Sequence, residues 1–174
     1  MSIVYESTAP GRPPLGPDER PKLEALRATL QDLKAQPGST LEALYAAQAL
    51  FTYVPPEAIE LIAEELGQPE SHVYGVVTFY TMFYLEPQPT YILRVCRDLS
   101  CHLAGAPKAI AAFSNELGVH RGEITPDRKF KLELVSCLGL CDKQPAMLVN
   151  MEPHGPMTPD RVTQLTRELR ERKA

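Results

Sequence analysis

The stretch FKLELVSCLGLC (Phe130–Cys141) sets apolar Phe130, Leu132 and Leu134 against Lys131 and Glu133, then runs into two cysteines. A period of two marks a half-buried strand, so Phe130 to Val135 is expected to form one. Upstream, YILRVCRDLSC (Tyr91–Cys101) has the same plan: strand formers Tyr91 to Val95 deliver Cys96, and Cys101 follows in what reads as the loop beyond. Between these stretches Gly105 to Leu117 has helical spacing, with Ile110, Phe113 and Leu117 facing inward. Ala146 to Val149 is a short apolar strand. Thr158-Pro159 opens a last helix with Val162, Leu165 and Leu169 on one face, an acidic start at Asp160 and a basic end. Strand, helix, strand, strand, helix describes a small α/β domain.

The cysteines are the only four in the chain, arranged as Cys96-x4-Cys101 and Cys137-x3-Cys141. Each first cysteine closely follows a strand, so neighbouring strand ends bring two loops together into one four-sulfur site. Spacing alone leaves a structural Zn²⁺ and an iron–sulfur cluster nearly level. Zinc knuckles favour two-residue gaps, and neither pair has one. The lack of Cys-x-x-Cys disfavours a redox disulfide, and a Rieske centre needs two histidines paired with two cysteines. His72, His102, His120 and His154 are scattered and read as ordinary surface or core residues. Four thiolates on an oxidised [2Fe–2S] core make a dianion that becomes a trianion on reduction, so N–H donors near the sulfurs matter. Gly105 and Gly139 let backbone approach there. Arg97 and Lys143 adjoin ligands, but Asp98 and Asp142 sit equally close.

Working toward the N-terminus, Glu86-Pro87-Gln88-Pro89 favours an extended linker, and the domain boundary is placed there. Residues 22–86 read as a helical domain and 87–174 as the cysteine-bearing one. Leu23, Leu26, Leu30 and Leu33 share a helix face. Ser39 with Glu42 is a capping-box signature for a helix whose core face is Leu41, Leu44, Ala47 and Leu50. Ile59, Ile62, Ala63 and Leu66 form a third stripe, closed by Gly67. A fourth helix follows Pro69, and its aromatic end TFYTMFY (Thr78–Tyr84) reads as core packing. Residues 9–21 contain five prolines and two glycines, so residues 1–21 are expected to be a flexible arm.

The net charge of −4, without basic clusters interleaved with aromatics, gives no reason to expect nucleic acid as a partner. The longest segment free of Asp, Glu, Lys and Arg around the aromatics, Ser71 to Leu85, is 15 residues, short of a membrane span. No basic start precedes an apolar stretch at the N-terminus, so a reducing cytoplasm is expected, where four cysteines act as ligands rather than structural disulfides. There is no Gly-x-Gly-x-x-Gly after a strand and no phosphate-binding loop, so nucleotide chemistry is assigned to a partner.

Over roughly residues 22–172 the chain resembles the 24-kDa-type (E-type), thioredoxin-like [2Fe–2S] subunit of NADH:quinone oxidoreductase, respiratory complex I. The matching pieces are Tyr53-Val54-Pro55 with the AIELIAEEL helix, GVVTFYTMF (Gly75–Phe83), Cys-x4-Cys followed by Gly105-Ala106, and VSCLGLCDKQPAMLVN (Val135–Asn150). The resemblance implies an α+β chain: an N-terminal helical bundle followed by a thioredoxin-like [2Fe–2S] ferredoxin domain. It implies one [2Fe–2S] cluster with Cys96 and Cys101 as the first ligand pair and Cys137 and Cys141 as the second. It also implies a partner flavoprotein carrying FMN, the NADH site and a [4Fe–4S] cluster, with the complex on the cytoplasmic face of the inner membrane. No residue here is expected to be catalytic; the chain relays electrons. The equivalent subunit of a soluble NAD-linked formate dehydrogenase or hydrogenase shares this module. A zinc-stabilised interaction module is the reading from a different class. The family often has Asp-Gly where this chain has Asp127-Arg128, and Glu152 to Met157 (EPHGPM) is rich in proline and undiagnostic.

Overall fold

The computed structural model describes residues 15, 19–34 and 36–172, so most of the proline-rich arm lies outside the described residues. Its last two residues depart from expectation. Arg20 and Pro21 already belong to the first helix, because a proline in the first turn lacks only an N–H that no intrahelical partner would take. The chain divides into two compact units, Met1–Pro87 and Gln88–Ala174.

In the first unit, helix α1 (Arg20–Leu33) buries Leu26 and Leu30, and α2 (Ser39–Phe51) buries Ala43, Leu44, Ala47 and Phe51. The inward face of α2 is therefore rotated from the expected one, leaving Leu41 and Leu50 half-buried. The capping box does not form. Gly38, at φ 78°, takes the cap position, and Ser39 is a buried helical residue with no capping bond from its side chain. Glycine's freedom at positive φ lets the chain enter the helix one residue earlier than the box requires. Helix α3 (Pro56–Leu66) buries Ile59, Ile62 and Ala63 and closes on Gly67 at φ 64°. The Glu65 carboxylate accepts from Gln31 Nε2 at 2.8 Å and pairs with Arg27 and Lys34, joining α3 to α1.

Helix α4 (Glu70–Phe79) turns Val73 and Val77 inward. Beyond it, core packing holds only for part of the aromatic run: Phe83 and Tyr84 are buried, whereas Phe79 is 76% exposed. Gln48 secures the turn from α2, donating to the Met82 carbonyl and accepting from Tyr84 N–H, both at 2.8 Å. Among the described residues no helix is long and apolar enough to cross a membrane.

The second unit is built on a four-stranded sheet in the order β2-β1-β3-β4, with β1 (Tyr91–Cys96), β2 (Phe130–Val135), β3 (Met147–Val149) and β4 (Glu152–His154). β1 and β2 are parallel from Tyr91↔Phe130 to Cys96↔Val135, while β1–β3 and β3–β4 are antiparallel. A parallel pair needs a long crossover. Here the crossover contains α5 (Leu99–Leu103) and α6 (Ala106–Leu117). The core joins Leu93, Val95, Phe130, Leu132, Met147 and Val149 of the sheet to Phe113 of α6 and to Val162, Leu165 and Leu169 of α7 (Pro159–Glu171). Thr158 caps α7 by accepting from Arg161 N–H at 3.2 Å.

Two elements depart from the expected order. Cys101 lies on α5 rather than in a loop. The proline-rich Glu152–Met157 stretch contains β4, an edge strand, where a proline costs no ladder bond on its open side.

Candidate metal centre

Parallel pairing decides where the cysteines go. Strands β1 and β2 leave the sheet at the same end, with Cys96 opposite Val135, so the segments after Cys96 and Val135 start side by side. Arg97 N–H donates to the Val135 carbonyl at 3.0 Å and carries the ladder one residue past the strand. On its other side Cys96 N–H donates to the Ala146 carbonyl, also at 3.0 Å. Cys96 is thereby held between the two segments that flank Cys137 and Cys141.

The four thiols stand as two pairs. Cys96 and Cys101 are buried, pack with Ala106 and Ala146, and lie near enough for Cys96 to raise the Cys101 pKa. Cys137 and Cys141 are exposed free thiols near enough for Cys137 to raise the Cys141 pKa, with Cys141 opening a single 3₁₀ turn to Lys143. Leu138 and Leu140 pack against the buried pair from the exposed arm. Among the described residues no group of three or more His, Cys, Asp or Glu side chains has the arrangement of a metal site. Two pairs of thiols, one inner and one outer, fit a dinuclear core that takes two thiolates on each iron.

The thiols' environment matches that use. Burial pushes the Cys101 thiol above its usual range, the Ala146 N–H opposes the rise, and Cys96 and Cys141 add to it. Cys141 is also pushed up, first by its hydrogen bond to Cys137, then by the charge of Cys137, by burial, by Cys96 and by Asp142. Four thiolates this close repel each other unless cations sit among them, so metal binding here releases protons. Gly139 N–H donates to Cys137 Sγ at 3.4 Å. A Cβ on Gly105 or Gly139 would meet nothing within 4 Å, so positive φ, 104° and 75°, rather than crowding at the sulfurs, is what favours glycine there.

Three features of the centre are not visible in spacing. Asp98 Oδ2 accepts from Cys137 N–H at 3.1 Å, linking the two arms. The Ala146 N–H lies near enough to Cys101 to favour its thiolate, although the two residues are far apart in sequence. Gly155 packs under the exposed arm, where an added Cβ would lie 2.0 Å from the Lys143 carbonyl oxygen. His102, on α5, is exposed.

The family model for thioredoxin-like [2Fe–2S] ferredoxins matches residues 26–170. The E-type NADH-quinone oxidoreductase subunit of Aquifex aeolicus is 45% identical over 107 residues, which are 62% of this chain and 67% of that one. The NADP-reducing hydrogenase subunit HndA of Solidesulfovibrio fructosivorans is 33% identical over 139 residues, 80% of this chain and 81% of that one. The solved structure of an NAD⁺-reducing [NiFe]-hydrogenase in its H₂-reduced state shares the fold at TM-score 0.67 and 20% identity, over 75% of this chain. The chain spans only 22% of that hydrogenase chain. The match spans both the helical unit and the unit that carries the four cysteines, and the chain belongs to the thioredoxin-like [2Fe–2S] ferredoxin family.

Proposed function

We propose that this chain is the electron-transfer subunit of an NADH:quinone oxidoreductase, holding one [2Fe–2S] cluster on Cys96, Cys101, Cys137 and Cys141. The observation that carries the reading is the two-pair thiol array, delivered by the parallel ends of β1 and β2. The similarity to the Aquifex aeolicus oxidoreductase chain supports the assignment to that complex.

When bound, the cluster takes up and returns one electron at a time. The chain's residues set the conditions for that exchange. Burial of Cys96 and Cys101 keeps water from the inner half. The Gly139 N–H donates to Cys137 Sγ and the Ala146 N–H favours the Cys101 thiolate, so added negative charge is accommodated at these two sulfurs. Asp142, close enough to raise Cys141, works in the opposite direction. Exposed Cys137 and Cys141 form the side open to a redox partner. That partner is a flavoprotein subunit carrying FMN, the NADH site and a [4Fe–4S] cluster, and the complex sits on the cytoplasmic face of the inner membrane. NADH oxidation belongs to the partner, and the isolated chain is a carrier.

The test is iron, zinc and labile-sulfide analysis with EPR of the dithionite-reduced chain. A pair of irons and a pair of sulfides per chain, with one rhombic spin signal, is the expected result; stoichiometric zinc without a signal would sink the redox reading. Cys137→Ser should bleach the visible absorption while the helical unit stays folded. Full colour in that variant would mean the ligand set is wrong.

A second reading, the equivalent subunit of a soluble NAD(P)-linked hydrogenase, is favoured by the likeness to HndA over 80% of this chain. Co-purifying chains separate the two. Membrane subunits indicate the oxidoreductase, and a metal-bearing hydrogenase subunit indicates the alternative.

A further inference from the structure

We infer that Asp98 is a positioning residue that ties one cysteine arm to the other and so maintains the separation between the inner and outer thiol pairs. This rests on the four-cysteine ligand set proposed above.

Asp98 occupies the N-cap position of α5, the short helix that carries Cys101, with extended backbone at φ −70° and ψ 165°. An aspartate at that position ordinarily turns its carboxylate onto the free N–H groups of its own helix. Here the side chain makes no such capping bond. Its Oδ2 instead reaches the backbone N–H of Cys137 at 3.1 Å, on the opposite arm. The diversion occurs just where the sheet stops holding the arms together. The last backbone bond between them runs from Arg97 to Val135, and the Asp98–Cys137 bond takes over at the next residue of one arm. Asp98 follows Cys96 by two residues and precedes Cys101 by three, so its carboxylate joins the first ligand pair directly to a member of the second.

Groups that orient metal ligands from outside the coordination shell are commonly worth a factor of ten or more in metal retention. Asp98 is exposed, and no core packing depends on it.

Three variants separate this role from ordinary helix capping. Asparagine keeps an acceptor at the same reach. Serine caps a helix about as well as aspartate but is one bond shorter, too short to reach Cys137 N–H. Alanine does neither. Each full-length chain, loaded with iron and sulfide, is exposed to a strong chelator while its visible absorption is followed, and its reduced EPR spectrum is recorded. Asp98→Ser and Asp98→Ala should both release iron about tenfold faster than the parent, with shifted g-values, while Asp98→Asn stays close to the parent in both. The inference is overturned if Asp98→Ser retains iron like the parent, since helix capping would then account for the residue. It is also overturned if Asp98→Asn releases iron as fast as Asp98→Ala, since charge rather than the hydrogen bond would be responsible. A parent chain that takes up no iron and sulfide overturns the ligand set itself, and is told apart by failing before any variant is compared.

Discussion

Arg128 adopts φ 53°, a left-handed conformation that side chains with a Cβ rarely take. That the turn at Asp127-Arg128 has no glycine is legible in the sequence; the left-handed backbone at Arg128 is not. Asp127 compensates with a carboxylate that accepts from Lys129 N–H at 3.0 Å and from the Thr125 hydroxyl. These bonds, with the charges of Arg170 and Lys129, hold the Asp127 carboxyl below its usual range. Arg128→Gly should stabilise the chain by roughly 0.5–1 kcal/mol, the left-handed penalty less the entropy that glycine adds to the unfolded state. Urea denaturation measures it, and the iron-loaded spectrum should not change. Gly155 is the opposite case. Its demand comes from a backbone carbonyl twelve residues earlier in the chain, and nothing in EPHGPM announces a neighbour that close.

At the scale of elements, the long periodic segments are readable in the sequence, as is the short apolar run that becomes β3, whereas α5 and β4 are not. α1, α3, α6 and α7 carry stripes over three or more turns, enough for the helical period to stand out. α5 is five residues and β4 is three, below the length at which any period can be counted. The inward face of α2 differs from expectation because an alanine-rich helix has several acceptable faces, and contact with its neighbours chooses among them. Between α1 and α3 the decisive feature is polar. Hydrogen bonding to Lys34, opposed by burial and helped by the charge of Lys34, by Gln31 and by Arg27, holds the Glu65 carboxyl below its usual range. A carboxyl depressed in the folded state adds stability above its unfolded pKa and loses that stability as pH falls through the lower folded value. Glu65→Gln should therefore lower the melting temperature at neutral pH. The gap from the parent should close as pH drops below the carboxylate range, which a series of thermal melts at stepped pH would record.

For the whole molecule, the change of character at Glu86–Pro89 is a feature of the sequence, and the chain divides into the units Met1–Pro87 and Gln88–Ala174. The four-cysteine pattern is equally plain. The division into a buried and an exposed pair is not, because it depends on which sheet neighbours flank Cys96. Residues 88–174 hold all four cysteines together with a core drawn from the sheet, α6 and α7. Expressed alone, they should fold and take up iron and sulfide in the same ratio as the full chain. Far-UV circular dichroism with metal analysis checks this, and loss of uptake in the fragment would show that the helical unit is needed to form the centre.

The parallel pairing of β1 with β2 also governs when the protein can become a carrier during its synthesis. A ribosome that has released Cys101 has produced only two of the four cysteines proposed as ligands. The other half emerges after α6 and β2 have been made, and it reaches its counterpart only when β2 docks beside β1. A cluster on the four proposed ligands would therefore have to wait for strand docking. A nascent chain stalled short of Cys137 would present two of those cysteines and no complete site.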